Sequence, residues 1–254
     1  MRLLRTAFEQ GINHFDTAPL YGQGYAEKLV GNFIRNRRDK VSVATKFGLG
    51  NPGSLIVPAF LALPLNYYRK SLKKPAPAIA PVKDAEPQVI SYRQISVDYV
   101  KKCLVGSLQR LNTNYLDYYL LHEALPGFLD ADAFDFLQAQ KKSGVIRHLG
   151  VATGSQNLLT LNKNDLNGWD ILQYEVGNNG QLLAERFPDK QHFLHSCLKD
   201  LRLLPAEKTS DKKYSGGYQL GACAKNNRND KLIFATRRIQ VLKKNMQEFR
   251  EFMN

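Results

Sequence analysis

Hydrophobic and polar positions follow two alternating patterns along most of the chain. The first is a short apolar run rich in β-branched and aromatic residues and bounded by glycine, proline or polar residues. Such runs are typical of buried strands. They predict seven strands, at 12–17, 41–47, 115–121, 145–151, 169–175, 191–196 and 231–236.

The second pattern is the three- and four-residue spacing of an amphipathic helix. It is clearest where Val100, Leu104, Leu108 and Leu111 form one apolar face after Ser96, a residue type that caps helix N-termini. The same spacing predicts helices at 3–10, 26–37, 96–111, 131–142, 156–161, 218–225 and 239–252.

Strands that alternate with helices indicate parallel βα units, either in an open doubly wound sheet or in a closed (β/α)8 TIM barrel. No predicted strand is followed by a G-x-G-x-x-G motif, which counts against a dinucleotide-binding open sheet. In a barrel the carboxyl ends of all strands face one mouth, where the site is built. We therefore predict an α/β fold of the (β/α)8 type, as one domain spanning 1–254.

A long segment at about 49–94 interrupts this alternation. It contains seven prolines and an apolar patch between 55 and 65. Loops of this length inside a compact domain are usually functional lids or disordered insertions. We predict a lid over the substrate pocket; the alternative is a surface that touches a membrane.

Composition excludes several classes of function. Among 254 residues, no apolar run approaches the length of a membrane span, and the first residues lack the features of a secretory signal. Three widely spaced cysteines fit no metal site and favour a reducing, cytoplasmic location. The net charge is +13, but the basic residues are scattered and form no dense tract. We therefore expect no metal, no nucleic-acid partner and no membrane partner.

Polar residues at the predicted strand ends form a chemically meaningful set. Asp16 and Tyr21 follow the first strand, Lys46 lies near the end of the second, and His122 follows the third. An ammonium beside a phenol stabilises the phenolate, and a carboxylate beside the lysine holds it in place. An imidazole at the same mouth can orient a substrate carbonyl by a hydrogen bond. Together these groups make a proton donor for an oxygen that becomes negative.

Several motifs resemble those of the aldo-keto reductase family, and they extend over almost the whole chain outside 49–94. The form of the first motif looks most like the aldose 1-dehydrogenase branch. The matching segments are GINHFDTA at 11–18 with Tyr21-Gly22, Glu27 with Gly31, ATK at 44–46, SLQRL at 107–111, LDYYLLH at 116–122, GVIRHLGV at 144–151 and the tail from Thr236 to Asn245.

The resemblance implies an NAD(P)-dependent oxidoreductase that interconverts a carbonyl (aldehyde, ketone or aldose) and an alcohol or lactone. It assigns a catalytic tetrad of Asp16, Tyr21, Lys46 and His122, with Tyr21 as the general acid/base. The cofactor, NADP(H) or NAD(H), would lie across the barrel mouth. Its expected contacts are Gln173 at the carboxamide, His195 on the nicotinamide ring, Ser196 and Leu198 near the pyrophosphate, Thr236 and Arg237 at the adenosine phosphate, and Asn245 at the adenine.

The chain departs from the family pattern in three places. Ala152-Thr153 replaces the usual Ser-Asn, so Thr153 would have to remake one carboxamide contact. Val241 stands where many NADP-preferring members carry an arginine. The chain also begins inside the helix that normally follows the first barrel strand, so we expect that strand to be missing. These departures keep open an alternative, a cofactor-binding regulatory protein or an inactive relic of the barrel.

Overall fold

All strands run parallel in one sheet, and their order in space equals their order along the chain. The computed structural model describes residues 1–49, 94–198, 215–226 and 230–254. Within these residues, seven strands are found: β1 (His14–Asp16), β2 (Ser42–Phe47), β3 (Leu116–His122), β4 (Ile146–Ala152), β5 (Ile171–Glu175), β6 (Gln191–His195) and β7 (Lys231–Leu232). A strand order without reversals is that of a βα barrel, as the sequence predicts.

Helices connect the strands and cover the sheet. They are α1 (Arg2–Glu9), α2 (Tyr25–Ile34), α3 (Val97–Leu111), α4 (Ala131–Lys142), α5 (Ser155–Leu159), α6 (Asn179–Arg186), α7 (Gly216–Asn226) and α8 (Ile239–Met253). Short 3-10 turns occur at Arg38–Lys40, Pro126–Phe128 and Asn164–Leu166. The predicted cap of α3 is confirmed, because Ser96 Oγ accepts a hydrogen bond of 3.4 Å from the backbone N–H of Tyr99.

Two elements differ from the prediction. Helix α6 was not expected, because its first turn, Asn179-Gly180, carries residues typical of loops. Strand β7 ends at Leu232 rather than at 236, because only Lys231 and Leu232 are paired with β6 and β7 lies at an edge of the sheet. The segment from 233 to 236 instead continues as a loop towards α8.

Side chains alternate between the two faces of each strand, and this alternation places the polar residues at the strand ends on one face. Ala44 of β2, Leu120 of β3 and Ile171 of β5 belong to one small buried cluster. Because side chains two residues apart point to the same face of a strand, Lys46 and His122 share that face. The larger apolar core lies between the other face and the helices, with Phe33, Leu104, Tyr119, Leu137 and Leu172 among its buried members.

A buried ion pair joins two helices to β2. Glu27 of α2 is fully buried, accepts a hydrogen bond from Arg110 Nε of α3 at 2.5 Å and accepts another from Thr45 Oγ1 of β2 at 2.7 Å. The two helices approach closely at Gly31, where a Cβ atom would lie 2.6 Å from the carbonyl oxygen of Leu111. These contacts position the strand that carries Lys46.

Two expectations concern segments that the structure describes only in part. The predicted insertion and lid at 49–94 lie almost entirely outside the described residues. Among the helices that are described, none is long and apolar enough to cross a membrane.

Candidate active site

Three strand ends and one turn bring the predicted tetrad together. Asp16 is the last residue of β1, Lys46 is the penultimate residue of β2, and His122 ends β3. Tyr21 lies in the turn after β1, where its backbone N–H donates to Ala18 O at 3.0 Å. The turn has a left-handed backbone at three successive residues, with φ of +60° at Gly22, +55° at Gln23 and +85° at Gly24, and glycine adopts this conformation without strain at two of them.

Asp16 and Lys46 form a buried ion pair. Lys46 Nζ lies 2.5 Å from Asp16 Oδ1 and donates a second hydrogen bond to Thr17 O at 3.0 Å. Only 3% of the Lys46 side chain and 10% of the Asp16 side chain are exposed. Breaking such a pair from one side leaves an uncompensated buried charge, so each partner fixes the position of the other.

Tyr21 lies over this pair at the edge of the site. Lys46 Nζ is 5.2 Å from the centroid of the Tyr21 ring, within the range of a cation–π contact. The rings of Tyr21 and His122 meet edge to face, with centroids 6.2 Å apart. Tyr21 is 43% exposed, whereas Asp16 and Lys46 are largely buried, and its ring borders the cavity.

The His122 imidazole is neutral at physiological pH. Burial, and next the charge of Lys46, lowers the pKa of His122 from 6.5 to about 4. A neutral imidazole still carries one N–H donor. His122 is therefore suited to donate a hydrogen bond to a carbonyl oxygen. Tyr21 is the better candidate for the group that transfers a proton to that oxygen.

A single cavity of about 1070 Å³ contains the tetrad and all the predicted cofactor residues. The cofactor residues among its lining are Thr153, Gln173, His195, Ser196, Leu198, Thr236, Arg237 and Asn245. They come from β5, β6, the loops after β4, β6 and β7, and helix α8. The fold thus brings together residues that lie up to 229 positions apart (Asp16 to Asn245).

Gln173 connects the cofactor side of the cavity with the tetrad. Its Nε2 donates a hydrogen bond of 2.9 Å to Asp16 Oδ2, the carboxylate oxygen that Lys46 leaves available. Gln173 Oε1 is buried and has no hydrogen-bond partner among the residues with assigned positions. A buried acceptor without a partner is energetically costly, so this oxygen is suited to accept a hydrogen bond from a ligand N–H.

Thr153 is engaged within the protein. Its hydroxyl lies 3.3 Å from Glu123 O as a donor, and it accepts a hydrogen bond of 3.0 Å from Asn157 Nδ2. Thr153 is 3% exposed. Because its oxygen already has both kinds of partner, its contribution to a carboxamide contact stays a prediction.

His195 ends β6 beside Glu175, its register partner at the end of β5. Its Nδ1 lies 2.9 Å from Ser196 Oγ. Burial lowers the pKa of His195, and the charge of Glu175 acts in the opposite direction. The following residue, Ser196, has a left-handed backbone with φ of +64°, so the chain turns sharply at the cavity wall.

The opposite end of the cavity is bordered by α8 and the loop before it. Thr236 Oγ1 accepts a hydrogen bond of 3.3 Å from the backbone N–H of Arg238. Asn245 is 5% exposed and lies against Gly216, where a Cβ atom would be only 2.6 Å from Asn245 Oδ1. Arg237 and Arg238 are exposed and give this end of the cavity a positive charge.

Two carboxylates at or directly after strand ends were not predicted, and one of them lines the cavity. Glu123 lines the cavity directly after His122 and has a left-handed backbone, with φ of +59°. Burial raises the pKa of Glu123 above its usual value. Glu175 ends β5 and accepts a hydrogen bond of 2.6 Å from Ser155 Oγ. Both residues lie at strand ends, so the argument that identified the tetrad would also have identified them.

Within the described ranges, no group of three or more His, Cys, Asp or Glu side chains is arranged to hold a metal ion.

Comparison with known families gives one match. The sequence model of the aldo/keto reductase family matches residues 1–176. The chain spans about half or less of the length of the curated relatives that it resembles. It is 28% identical to the uncharacterized oxidoreductase YqkF of Bacillus subtilis over 63% of this chain and 41% of that protein.

Two other relatives have named activities. D-threo-aldose 1-dehydrogenase of a Pseudomonas species is 27% identical over 62% of this chain and 45% of that protein. The NADH-specific methylglyoxal reductase of Escherichia coli is 30% identical over 56% of this chain and 37% of that protein.

Solved structures share this fold. The holo form of aldo-keto reductase AKR11C1 from Bacillus halodurans gives a TM-score of 0.68 at 20% identity, covering 98% of this chain and 80% of that one. An aldo-keto reductase from Klebsiella pneumoniae in complex with NADPH gives 0.62 at 18% identity, covering 98% and 78%. The likeness confirms the predicted (β/α)8 class, with seven strands in the part of the chain that is described.

Proposed function

Because the chain belongs to the aldo/keto reductase family, we propose that it is an NAD(P)-dependent oxidoreductase. It interconverts a small carbonyl compound, which is an aldehyde, a ketone or an aldose, with the corresponding alcohol or lactone. The observation that carries this proposal is the buried Asp16–Lys46 pair beside Tyr21 and His122 in one cavity. Among the relatives, the aldose 1-dehydrogenase supports a sugar as one substrate class.

Each member of the tetrad has a separate task in carbonyl reduction. A bound reduced nicotinamide supplies a hydride to the carbonyl carbon. Tyr21 gives its phenolic proton to the carbonyl oxygen, which becomes the alcohol. Lys46 stabilises the resulting phenolate, and Asp16 holds the ammonium in place. His122, being neutral, donates a hydrogen bond that orients the carbonyl.

The cofactor residues fit this role. The unpartnered Gln173 Oε1 matches an amide donor, such as that of a nicotinamide carboxamide. His195 supplies a flat ring, and Ser196 and Leu198 border the path of a pyrophosphate. Thr236, Arg237 and Asn245 form the adenosine end, where the arginine can meet a phosphate.

We also propose that 1–254 forms one barrel domain that works in the reducing environment of the cytoplasm. The cysteine content supports this view, since the three cysteines are widely spaced along the sequence and fit neither a disulfide framework nor a metal site.

The first test is Tyr21→Phe, which removes the proposed proton donor without changing the shape of the ring. Loss of general acid catalysis typically lowers rates by about 10²–10⁴-fold. We expect such a loss of kcat in carbonyl reduction, measured by NADPH and NADH oxidation against a panel of aldehydes, ketones and aldoses. The affinity for nucleotide, measured by titration, should stay within about twofold because the phenol does not bind the nucleotide.

Tyr25→Phe is the matched control, since Tyr25 is equally exposed, at 41%, four residues along the same segment. Wild-type turnover in the Tyr21 variant would refute the catalytic assignment. Nucleotide binding without turnover of any panel member would favour the alternative, a cofactor-binding regulatory protein or an inactive relic.

A further inference from the structure

One hydrogen bond links the cofactor side of the cavity directly to the acid/base machinery. Gln173 and Asp16 are 157 positions apart in the sequence, and their side chains meet at 2.9 Å. Gln173 is 3% exposed, and only 10% of the Asp16 side chain is exposed. Water therefore competes little for this contact, and its geometry is set by the strands that carry the two residues.

The chemistry of the partners determines which end of the Gln173 amide points where. An ionised carboxylate only accepts hydrogen bonds, so the NH2 group must face Asp16. Both Asp16 oxygens are then used, one by Gln173 Nε2 and one by Lys46 Nζ. The amide oxygen of Gln173 consequently points elsewhere, and it is buried with no hydrogen-bond partner in the part of the chain that the structure describes.

We propose that Gln173 is a positioning residue that couples nucleotide binding to the Asp16–Lys46 pair. This inference rests on the proposed function, since it takes a nicotinamide carboxamide as the donor to Gln173 Oε1. A hydrogen bond accepted by the amide oxygen polarises the amide and strengthens the bond that its NH2 group donates. The bound nucleotide thereby holds Asp16, and through it Lys46, in the position that serves Tyr21.

The coupling is reciprocal, so a change at Asp16 must alter the affinity of the protein for the nucleotide. In Asp16→Asn the new NH2 group can donate to Gln173 Oε1 after the glutamine amide rotates, which would occupy the acceptor. Asp16→Asn should therefore weaken nucleotide binding severalfold. Gln173→Met removes the same acceptor and should weaken binding by roughly tenfold.

A double-mutant cycle tests this coupling. Binding of NADP+, or of NAD+ if the wild type prefers it, is measured by titration calorimetry in the wild type, Gln173→Met, Asp16→Asn and the double variant. We expect the double variant to lose no more than about tenfold, as Gln173→Met alone does, because both changes act on one acceptor. If the two changes acted independently, their fold-losses of affinity would multiply in the double variant. Gln191→Met, the same change at the start of β6, is the control and should bind normally.

A nucleotide analogue provides a second arm that does not depend on how Gln173→Met folds. The 3-acetylpyridine analogue carries an acetyl group in place of the carboxamide and has no N–H to donate. The wild type and Asp16→Asn should bind it with equal affinity, although they differ for the natural nucleotide. Gln173→Met should also lower kcat. If Gln173 had only a structural role, its loss would lower thermal stability, and the losses of binding free energy in the two single variants would add in the double variant.

The outcomes separate the inference from the function on which it rests. Multiplicative losses in the cycle, or an equal effect of Asp16→Asn on both nucleotides, would overturn the coupling while leaving the oxidoreductase intact. Failure of the wild type to bind either nucleotide would overturn the proposed function, and the coupling with it.

Discussion

At the scale of single residues, we expect two exposed arginines to decide nucleotide selectivity. Arg237 and Arg238 line the cavity directly before α8, and Val241 stands where the family resemblance leads us to expect an arginine in an NADP-preferring member. A charge-assisted hydrogen bond to a phosphate is worth about 1.5–3 kcal/mol. If either guanidinium meets a 2′-phosphate, it compensates for Val241.

We therefore expect that Arg237→Ala/Arg238→Ala weakens NADPH binding by about tenfold or more and changes NADH binding little, as measured by fluorescence titration. The control, Lys243→Ala/Lys244→Ala, removes the same charge further along α8. Equal losses for NADPH and NADH in the arginine variant would show that the pair acts only through its general positive charge.

At the scale of elements, the buried Glu27–Arg110 pair holds α2 and α3 against β2. Glu27 is fully buried and also accepts from Thr45, the residue that precedes Lys46. Removal of one partner of a buried pair typically costs about 3–5 kcal/mol, since the remaining charge loses its compensation. The position of Lys46 thus depends on contacts on the opposite face of its own strand.

Arg110→Met should accordingly lower the free energy of unfolding by about 3–5 kcal/mol in urea denaturation. Lys244→Met removes a 71% exposed lysine whose Nζ lies 3.8 Å from Glu248 Oε1, and it should cost less than about 1 kcal/mol. The variant Glu27→Met/Arg110→Met should recover much of the loss. A loss as small as that of the surface variant would mean that the pair does not organise these helices.

At the scale of the whole molecule, buried imidazoles make stability depend on pH. His14 is hydrogen-bonded to Ser42 through Nδ1 at 2.9 Å, and burial, followed by the charge of Lys231, lowers the pKa of His14 to about 4. His122 is lowered to the same value, again chiefly by burial. Both pKa values are near 6.5 in the unfolded chain, so between pH 6.5 and 4 the unfolded state binds more protons.

Stability should therefore decrease as the pH falls from 6.5 towards 4, by about 1–2 kcal/mol for each imidazole at pH 5. Urea denaturation between pH 5 and 7.5 measures this slope. His14→Gln should reduce the slope by the share of His14 and leave the share of His122, and His148→Gln, at a side chain that is 48% exposed, should leave the slope unchanged. A slope that persists in full in His14→Gln would place its origin elsewhere.

The sequence by itself determined most of the architecture, and it predicted which residues form the candidate site. Hydrophobic periodicity is a local property, so strands, helices and their alternation could be read from it, and parallel βα units direct all strand ends to one mouth. This is why Asp16, Lys46 and His122 could be grouped before any coordinate was known. Helix α6 and the early end of β7 were not predicted. Loop-type residues at the start of a helix and the extent of pairing at a sheet edge give no periodic signal.

Only the tertiary structure decided how the grouped residues interact. The contact between Gln173 and Asp16, the neutral state of His122, the exposure of Tyr21 and the place of Glu123 in the cavity have no sequence signature. Hydrogen bonds and desolvation depend on distances between side chains from different strands, and a hydrophobic pattern reports only the face of its own strand. The residues of the candidate site could therefore be predicted from the sequence, whereas the contacts between their side chains could be known only from the fold.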